Sequence, residues 1–237
     1  GGVTRIHGPR FWRFQIIGEE HSHAFQYIMK ESSRDFLSYT IDSLFAARPV
    51  IIFDYDLTIA RVPVDWVAAR DGCQAYLNEN LTGLTVSPGL RMDEMEALAL
   101  LAYPDERELI FSYRRKVESE ASEKHEPISD TLSYITGELS KTFYVLSNNL
   151  SSTVITGLRQ LKLLNRFEEV IGIDVIRAPK PSIKGLEVLL NLDPHIVRKA
   201  IFVGDSERTD GEFCARAGIP FINISCKEIM RRENRYG

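Results

Sequence analysis

The sequence predicts an α/β protein in which a doubly wound parallel sheet is covered by helices on both faces. Short apolar runs at 50–53, 142–146 and 200–203 are rich in β-branched and aromatic residues, as expected for strands buried on both sides. Segments with apolar residues at helical spacing separate the later runs. Each run is followed by polar residues, and the carboxyl ends of parallel strands are where ligands bind in such sheets. Alternating strands and crossover helices are typical of a parallel sheet.

Residues 1–48 precede the first buried strand, and we expect them to form a mostly helical extension that packs on the core. Apolar residues at helical spacing within 25–45 predict one or two helices, and 10–17 is a candidate short strand. No basic region followed by an apolar stretch occurs at this end, so no signal peptide is expected.

Residues 62–126 lack the alternation of strands and helices. Helical patterns at 65–77, 93–102 and 106–124 are joined by a turn-rich segment at 78–89 that contains two glycines and one proline. We therefore expect a small helical insertion at 62–126, and a core made of 49–61 together with 127–237.

The alternation resumes after the insertion. The predicted elements are, in order, a helix over 128–139, a strand at 142–146, a helix over 154–161, a strand at 169–173, a loop at 178–181, a helix around 186–190, a strand at 200–203, a helix that stops at Gly218 and a strand at 220–224. These elements complete the parallel sheet that begins at 50–53.

The composition is that of an ordinary globular protein. Hydrophobic residues make up 44% and charged residues 26%, which excludes disordered and collagen-like classes. The net charge of −4 argues against a nucleic-acid partner. No apolar run approaches the roughly 18 residues of a membrane span. The three cysteines lack zinc-type spacing and are interpreted as thiols of a cytoplasmic protein, and no oligomeric state follows from the sequence.

Asp54 and Asp56 directly follow the first buried strand. In an extended chain, residues i and i+2 point to the same side with Cα atoms roughly 6.5 Å apart, so both carboxylates would face one small space. At that separation and an effective dielectric constant near 20, the two charges repel by about 3 kcal/mol. Either one carboxyl group is protonated or a cation lies between the two. Taken alone, the pair is equally compatible with residues that cap a loop or a helix.

Polar residues also follow the other two long apolar runs. Ser147 and Asn148 follow the second run, Asp205 and Asp210 follow the third, and Lys180 lies in the loop between them. Because the carboxyl ends of parallel strands open on one crevice, these side chains can meet. Carboxylates beside a lysine and hydroxyl groups indicate a site for Mg²⁺ and a phosphoryl group. One carboxylate can then attack phosphorus, and a second can donate a proton to the leaving oxygen.

The residues at these positions resemble the four motifs of the haloacid dehalogenase-like (HAD) superfamily, in its phosphatase branch. The matching residues are Asp54-x-Asp56-x-Thr58, Ser147, Lys180-Pro181, and Gly204-Asp205 with Asp210. The resemblance covers about 50–225 apart from the insertion, and 147–224 is most similar to the phosphoglycolate phosphatase-like subgroup. It implies a Rossmann-like core with a C1-type helical cap inserted after the first strand.

The resemblance also implies an activity and four catalytic residues. Asp54 would be the nucleophile and Asp56 the general acid/base, while Ser147 and Lys180 would hold the phosphoryl group. The implied reaction is Mg²⁺-dependent hydrolysis of a small phosphomonoester through an aspartyl-phosphate intermediate. The implied partner is therefore a small phosphorylated metabolite, with neither nucleic acid nor membrane.

Further residues are implied as metal ligands or as substrate contacts. The metal site would use Asp54, Asp205 and the backbone carbonyl of Asp56, with Asp210 supporting the metal or Lys180. The candidates for contact with phosphate or substrate are Thr58, Asn148, Arg61 and Trp66.

Two alternatives remain open at this point. A phosphomutase would use the same aspartyl-phosphate chemistry, and a catalytically inert binding or regulatory protein would keep only the HAD scaffold. The chain departs from the family pattern at Leu57, where many relatives have glycine, and at Arg61, where many have an acidic residue. The run Arg114-Arg115-Lys116 is predicted to be a solvated helix face, with contact to an anionic substrate as the alternative.

Overall fold

The structure is a computed structural model that describes residues 15–17, 45, 47–121 and 124–224. The helices predicted within 25–45 therefore lie outside the described residues, except for Phe45. Of the candidate strand at 10–17, only Gln15–Ile17 is described, and it is a strand.

Six of the eight described strands form one sheet, and the strand at Val50–Phe53 is one of its two central strands. The strands are, in chain order, β1 (Gln15–Ile17), β2 (Val50–Phe53), β3 (Ala60–Arg61), β4 (Glu126–Pro127), β5 (Thr142–Leu146), β6 (Phe167–Ile171), β7 (Ala200–Gly204) and β8 (Phe221–Asn223). The sheet order is β1-β8-β7-β2-β5-β6. All neighbours in it are parallel except β1, which is antiparallel to β8. The predicted parallel α/β fold is confirmed.

The register of the central strands brings their carboxyl ends to one level. Phe53 of β2 pairs with Val145 of β5 on one side and with Val203 of β7 on the other. The residues that follow these three strands therefore emerge at the same edge of the sheet.

Helices connect the strands, and those that follow β4 cover both faces of the sheet. They are α1 (Trp66–Asn80), α2 (Met92–Ala102), α3 (Arg107–Glu120), α4 (Ser129–Gly137), α5 (Ser151–Gln160), α6 (Ile173–Ile176), α7 (Lys184–Leu192), α8 (Ile196–Lys199) and α9 (Glu212–Ala217). Alternate residues of β2 enter different buried clusters. Ile51 packs with Val154 of α5 on one face, and Ile52 packs with Leu189 of α7 on the other.

One predicted strand lies two residues earlier in the chain than expected. The strand predicted at 169–173 is observed at Phe167–Ile171. It ends there because the N–H groups of Gly172 and Ile173 donate to Ser151 Oγ and to the carbonyl of Asn149, and the chain then enters α6.

Helices α1, α2 and α3 pack around a buried cluster of their own that includes Cys73, Leu77, Met95 and Ile110. Strands β3 and β4 form a two-stranded antiparallel ribbon at the two ends of this helical segment. Among the described residues, no helix combines the length and the apolar character that crossing a bilayer would require.

Candidate active site

The turn after β2 places Asp54 at the edge of the sheet. The N–H of Asp54 donates to the carbonyl of Val203 in the neighbouring β7, which extends the strand pairing by one residue. The chain then turns back, and Leu57 adopts a left-handed conformation with φ of 59°. Such a conformation favours glycine. This turn is therefore the physical reason why a glycine suits the position that Leu57 occupies.

Lys180 joins two of the candidate carboxylates. Its side chain is 2% exposed, and Nζ donates to Asp54 Oδ1 at 2.8 Å and to Asp210 Oδ1 at 2.6 Å. Burial alone would lower the pKa of Lys180, but Asp210 and Asp54 more than offset this and raise the pKa above its ordinary value. Lys180 therefore keeps its positive charge in a buried place.

Asp54, Asp205 and Asp210 form an acidic cluster in which one carboxylate oxygen of each lies within 4.8 Å of the others. A β-carbon at Gly204 would lie only 2.4 Å from Asp210 Oδ2, so this position requires glycine for Asp210 to approach. Burial, followed by the charge of Asp54, raises the pKa of Asp205 to about 8. Three carboxylates beside one ammonium group leave an excess of negative charge, and oxygen donors of this kind fit Mg²⁺.

Asp56 is held separately from that cluster. Its Oδ1 accepts the N–H of Val62 at 2.8 Å, and its Oδ2 accepts the indole N–H of Trp66 at 3.0 Å. Burial raises the pKa of Asp56 to about 6, and Asp54 adds to this effect, whereas the bonds from Val62 and Trp66 act in the opposite direction. Trp66, a candidate substrate contact, thus bonds directly to Asp56.

The loop after β5 brings Ser147 and Asn148 to the same edge. The Ser147 hydroxyl is buried and donates to Asn149 Oδ1 at 3.1 Å. Asn148 Oδ1 accepts the N–H of Lys180 at 2.9 Å, and Asn148 Nδ2 donates to the carbonyl of Lys180 at 3.3 Å. The loop is therefore bonded to the backbone that carries Lys180.

The two remaining candidates differ in their position. Thr58 is buried, and its hydroxyl has no hydrogen-bond partner within the described residues, so it is available to a ligand. Arg61 is exposed on β3, and no hydrogen bond or ion pair joins it to the other candidates in the described part of the chain.

The prediction of a solvated face at Arg114-Arg115-Lys116 is wrong for Arg114. This side chain is buried and bonded to Glu96 and Glu118, whereas Arg115 is exposed and pairs with Glu108. Three consecutive residues of a helix point in different directions, so a run of like charges need not share one environment. The sequence contains a signal for this burial, because Arg114 follows Ile110 by four residues and belongs to the apolar face of α3.

Comparison with known proteins gives the following matches. The family model "Haloacid dehalogenase-like hydrolase" matches residues 51–224. A search of curated proteins found no significant match.

Several solved structures are similar to this chain. One from Bacteroides fragilis, classed as a haloacid dehalogenase-like hydrolase, is 22% identical with a TM-score of 0.51, over 73% of this chain and 86% of that chain. A predicted phosphatase from Clostridium acetobutylicum is 14% identical with a TM-score of 0.50, over 73% and 83%. The HAD-hydrolase YfnB of Bacillus subtilis, solved bound to magnesium, is 19% identical with a TM-score of 0.46, over 73% and 87%. At such identities the first two similarities establish a shared fold.

Proposed function

Because this chain belongs to the haloacid dehalogenase-like hydrolase family, we propose that it hydrolyses a small phosphomonoester with the help of Mg²⁺. The observation that carries this proposal is the cluster around Lys180, whose Nζ lies 2.8 Å from Asp54 Oδ1 and 2.6 Å from Asp210 Oδ1. Asp205 completes the cluster within 4.8 Å. A lysine among carboxylates at the end of a parallel sheet suits a site for a phosphoryl group and a divalent cation.

The metal site in this proposal consists of Asp54, Asp205 and Asp210, with the backbone carbonyl of Asp56 as a further ligand. The raised pKa of Asp205 supports the assignment, because burial and then the charges of Asp54 and Asp210 make its ionised form costly despite Lys180, and a bound cation would relieve that cost. When bound, Mg²⁺ would neutralise charge on the phosphoryl oxygens and on the attacking carboxylate.

The first chemical step is assigned to Asp54 and Asp56. The carboxylate of Asp54 attacks phosphorus and forms an acyl phosphate while the bond to the leaving oxygen breaks. Asp56 donates its proton to that oxygen, and a pKa of about 6, raised mainly by burial, suits this role near neutral pH. Lys180 and Ser147 hold the phosphoryl oxygens, with Thr58 and Asn148 as further contacts.

In the second step, the acyl phosphate is hydrolysed. Asp56, now ionised, takes a proton from water, and the oxygen of that water attacks phosphorus. Inorganic phosphate leaves, and the carboxylate of Asp54 and the acid form of Asp56 are both regenerated.

We assign the helical segment at 62–126 as a C1-type cap on the core formed by 49–61 and 127–237. A cap of this kind excludes water and selects the substrate. The contact that supports this assignment is the bond from Trp66, the first residue of α1, to Asp56. The substrate would be a small phosphorylated metabolite, and the free buried thiols of Cys73 and Cys214 are in keeping with a cytoplasmic enzyme.

The test is Asp54→Asn, assayed for phosphate release from a generic aryl phosphate with and without Mg²⁺. We expect the wild-type chain to release inorganic phosphate only with Mg²⁺ and the variant to release none. Asp71→Asn, on the exposed side of α1, is the matched control and should behave as the wild type.

Release of phosphate to water also separates hydrolysis from phosphoryl transfer back to the substrate. Turnover retained in Asp54→Asn would overturn the proposal. A wild-type chain that is inert across phosphorylated metabolites, yet binds Mg²⁺, would favour a binding or regulatory role instead.

A further inference from the structure

A buried ionic network in α2 and α3 is centred on Arg114, which is 3% exposed. Arg114 Nη2 lies 2.7 Å from Glu96 Oε2, and Arg114 Nη1 donates to Glu118 Oε1 at 3.0 Å. Glu96 and Glu118 are both fully buried. One guanidinium therefore serves two carboxylates, one from each helix.

This network bonds directly to the loop that follows β5. Arg114 Nη1 donates to the carbonyl of Asn148 at 3.0 Å, and the N–H of Leu150 donates to Glu118 Oε2 at 3.0 Å. Asn149 Nδ2 donates to Glu118 Oε1 at 3.4 Å, and Asn149 Oδ1 accepts the hydroxyl of Ser147 at 3.1 Å. A chain of two hydrogen bonds thus runs from Glu118 to Ser147.

Asp93, in the first turn of α2, provides a second connection. Its Oδ2 accepts Asn148 Nδ2 at 2.8 Å, and Asn148 Oδ1 in turn accepts the N–H of Lys180 at 2.9 Å. Both candidate phosphoryl-binding residues, Ser147 and Lys180, are therefore connected to the helical segment through the same short loop.

A contribution to the folding stability of the protein does not by itself explain why these charged residues are buried together. Burial raises the pKa of Glu96 to about 7 even though Arg114 opposes this, which shows how costly the ionised carboxylate is here. Buried ion pairs often stabilise a protein no better than apolar side chains of similar volume. Their bonds are directional, however, and the planar fork of arginine fixes several acceptors at once.

We propose that Arg114 is a positioning residue for the phosphoryl-binding loop. Together with Glu118 and Asp93 it holds Ser147, and through Asn148 the backbone of Lys180, in the geometry that receives the phosphoryl group. The proposal rests on the proposed function, since it takes Ser147 and Lys180 as the phosphoryl-binding groups. If Arg114 has this role, the phosphoryl-binding pocket is complete only when α2 and α3 lie against the core.

Two variants of the full chain test this role. Arg114→Lys keeps the charge but cannot reach Glu96, Glu118 and the Asn148 carbonyl together. The triple variant Glu96→Met/Arg114→Met/Glu118→Gln removes the buried charges, fills their volume and keeps an acceptor for the N–H of Leu150. Because it leaves no buried ion unpaired, the triple variant is expected to fold even if Arg114→Lys does not.

Three quantities are measured for each variant: hydrogen exchange of the amides at 147–150, calorimetric affinity for inorganic phosphate with Mg²⁺, and the melting temperature. We expect faster loop exchange and at least a tenfold loss of phosphate affinity in the triple variant, even where its melting temperature equals that of the wild type. The control Arg115→Met alters the exposed neighbouring arginine and should change none of these quantities.

A variant with wild-type loop exchange and phosphate affinity, in which only the melting temperature falls, would show that Arg114 is merely structural and would overturn the proposal. If instead the wild-type chain neither binds phosphate nor hydrolyses an ester, the proposed function fails. In that case the exchange of the loop amides still decides whether Arg114 holds the loop at 147–150 in place, which is the structural part of the proposal.

Discussion

Asp205 lies in a cluster with more negative than positive charge, so replacing it with asparagine is expected to stabilise the metal-free protein. Its carboxylate lies within 4.8 Å of those of Asp54 and Asp210. At that distance and an effective dielectric constant near 20, each like-charged pair costs about 3.5 kcal/mol. Lys180, which bonds to Asp54 and Asp210, offsets about one of the two repulsions. The net repulsion on Asp205 is therefore about 3.5 kcal/mol.

Asp205→Asn keeps the shape of the side chain and removes this repulsion. We expect the free energy of unfolding without metal to rise by about 3.5 kcal/mol, which for a chain of this size raises the melting temperature by roughly 7–14 °C. Mg²⁺ should stabilise the wild-type chain, because the ion binds only the folded state, and should stabilise the variant much less.

The dependence on pH gives a second measure of how costly the ionised form of Asp205 is in the folded protein. Burial, with Asp54 and Asp210, raises the pKa of Asp205 to about 8, so the folded protein binds this proton more tightly than the unfolded chain does. Its stabilising contribution is full below pH of about 4, the ordinary value of an aspartate, and is lost as the pH rises through about 8. The advantage of Asp205→Asn should therefore be absent at low pH and grow across this range.

The assay is thermal and urea unfolding between pH 5 and 8, in a chelator and in Mg²⁺, with Asp71→Asn as the control for an exposed carboxylate. If Asp205→Asn proved less stable than the wild type at pH 8 without metal, the cluster would not be repulsive. The charge argument for the metal site would then be refuted.

Two further predictions concern Trp66 and Leu57. Trp66→Phe removes the N–H that bonds to Asp56, and because a hydrogen bond to a charged group contributes about 1.5–3 kcal/mol, kcat should fall roughly tenfold or more with little change in KM. Steady-state kinetics check this; a raised KM with unchanged kcat would instead make Trp66 a substrate contact. Leu57 has a φ of 59°, so Leu57→Val should lower the free energy of unfolding by about 1–2 kcal/mol, whereas Leu57→Gly should change it by less than about 1 kcal/mol. Urea unfolding compares the two, and equal effects would argue against a left-handed residue there.

The sheet was predictable because its signals are local. The apolar runs at 142–146 and 200–203 and the polar residues after them depend on neighbours in the sequence, and the strands are observed at Thr142–Leu146 and Ala200–Gly204. The strand at 169–173 was misplaced because its end is set by bonds from Gly172 to Ser151 and from Ile173 to Asn149, which are distant in the sequence.

The site was predictable in its residue set and less so in its supporting contacts. The lysine and the carboxylates meet because the fold brings strand ends together, which follows once the sheet is parallel. The place of Arg114 on the apolar face of α3 signals its burial, but its partner Glu96 is 18 residues distant and on another helix. Charge patterning along one helix carries no information about such a partner.

The ribbon formed by β3 and β4 makes the helical segment modular. Ala60 pairs with Pro127 and Arg61 with Glu126, so the chain enters and leaves the helical segment at adjacent points. Paired residues of antiparallel strands lie only about 5 Å apart, a gap that a two-residue turn closes. Excision of the stretch between β3 and β4 would thus leave the strand connections of the core intact. Helices from another source could be inserted between the same two strands.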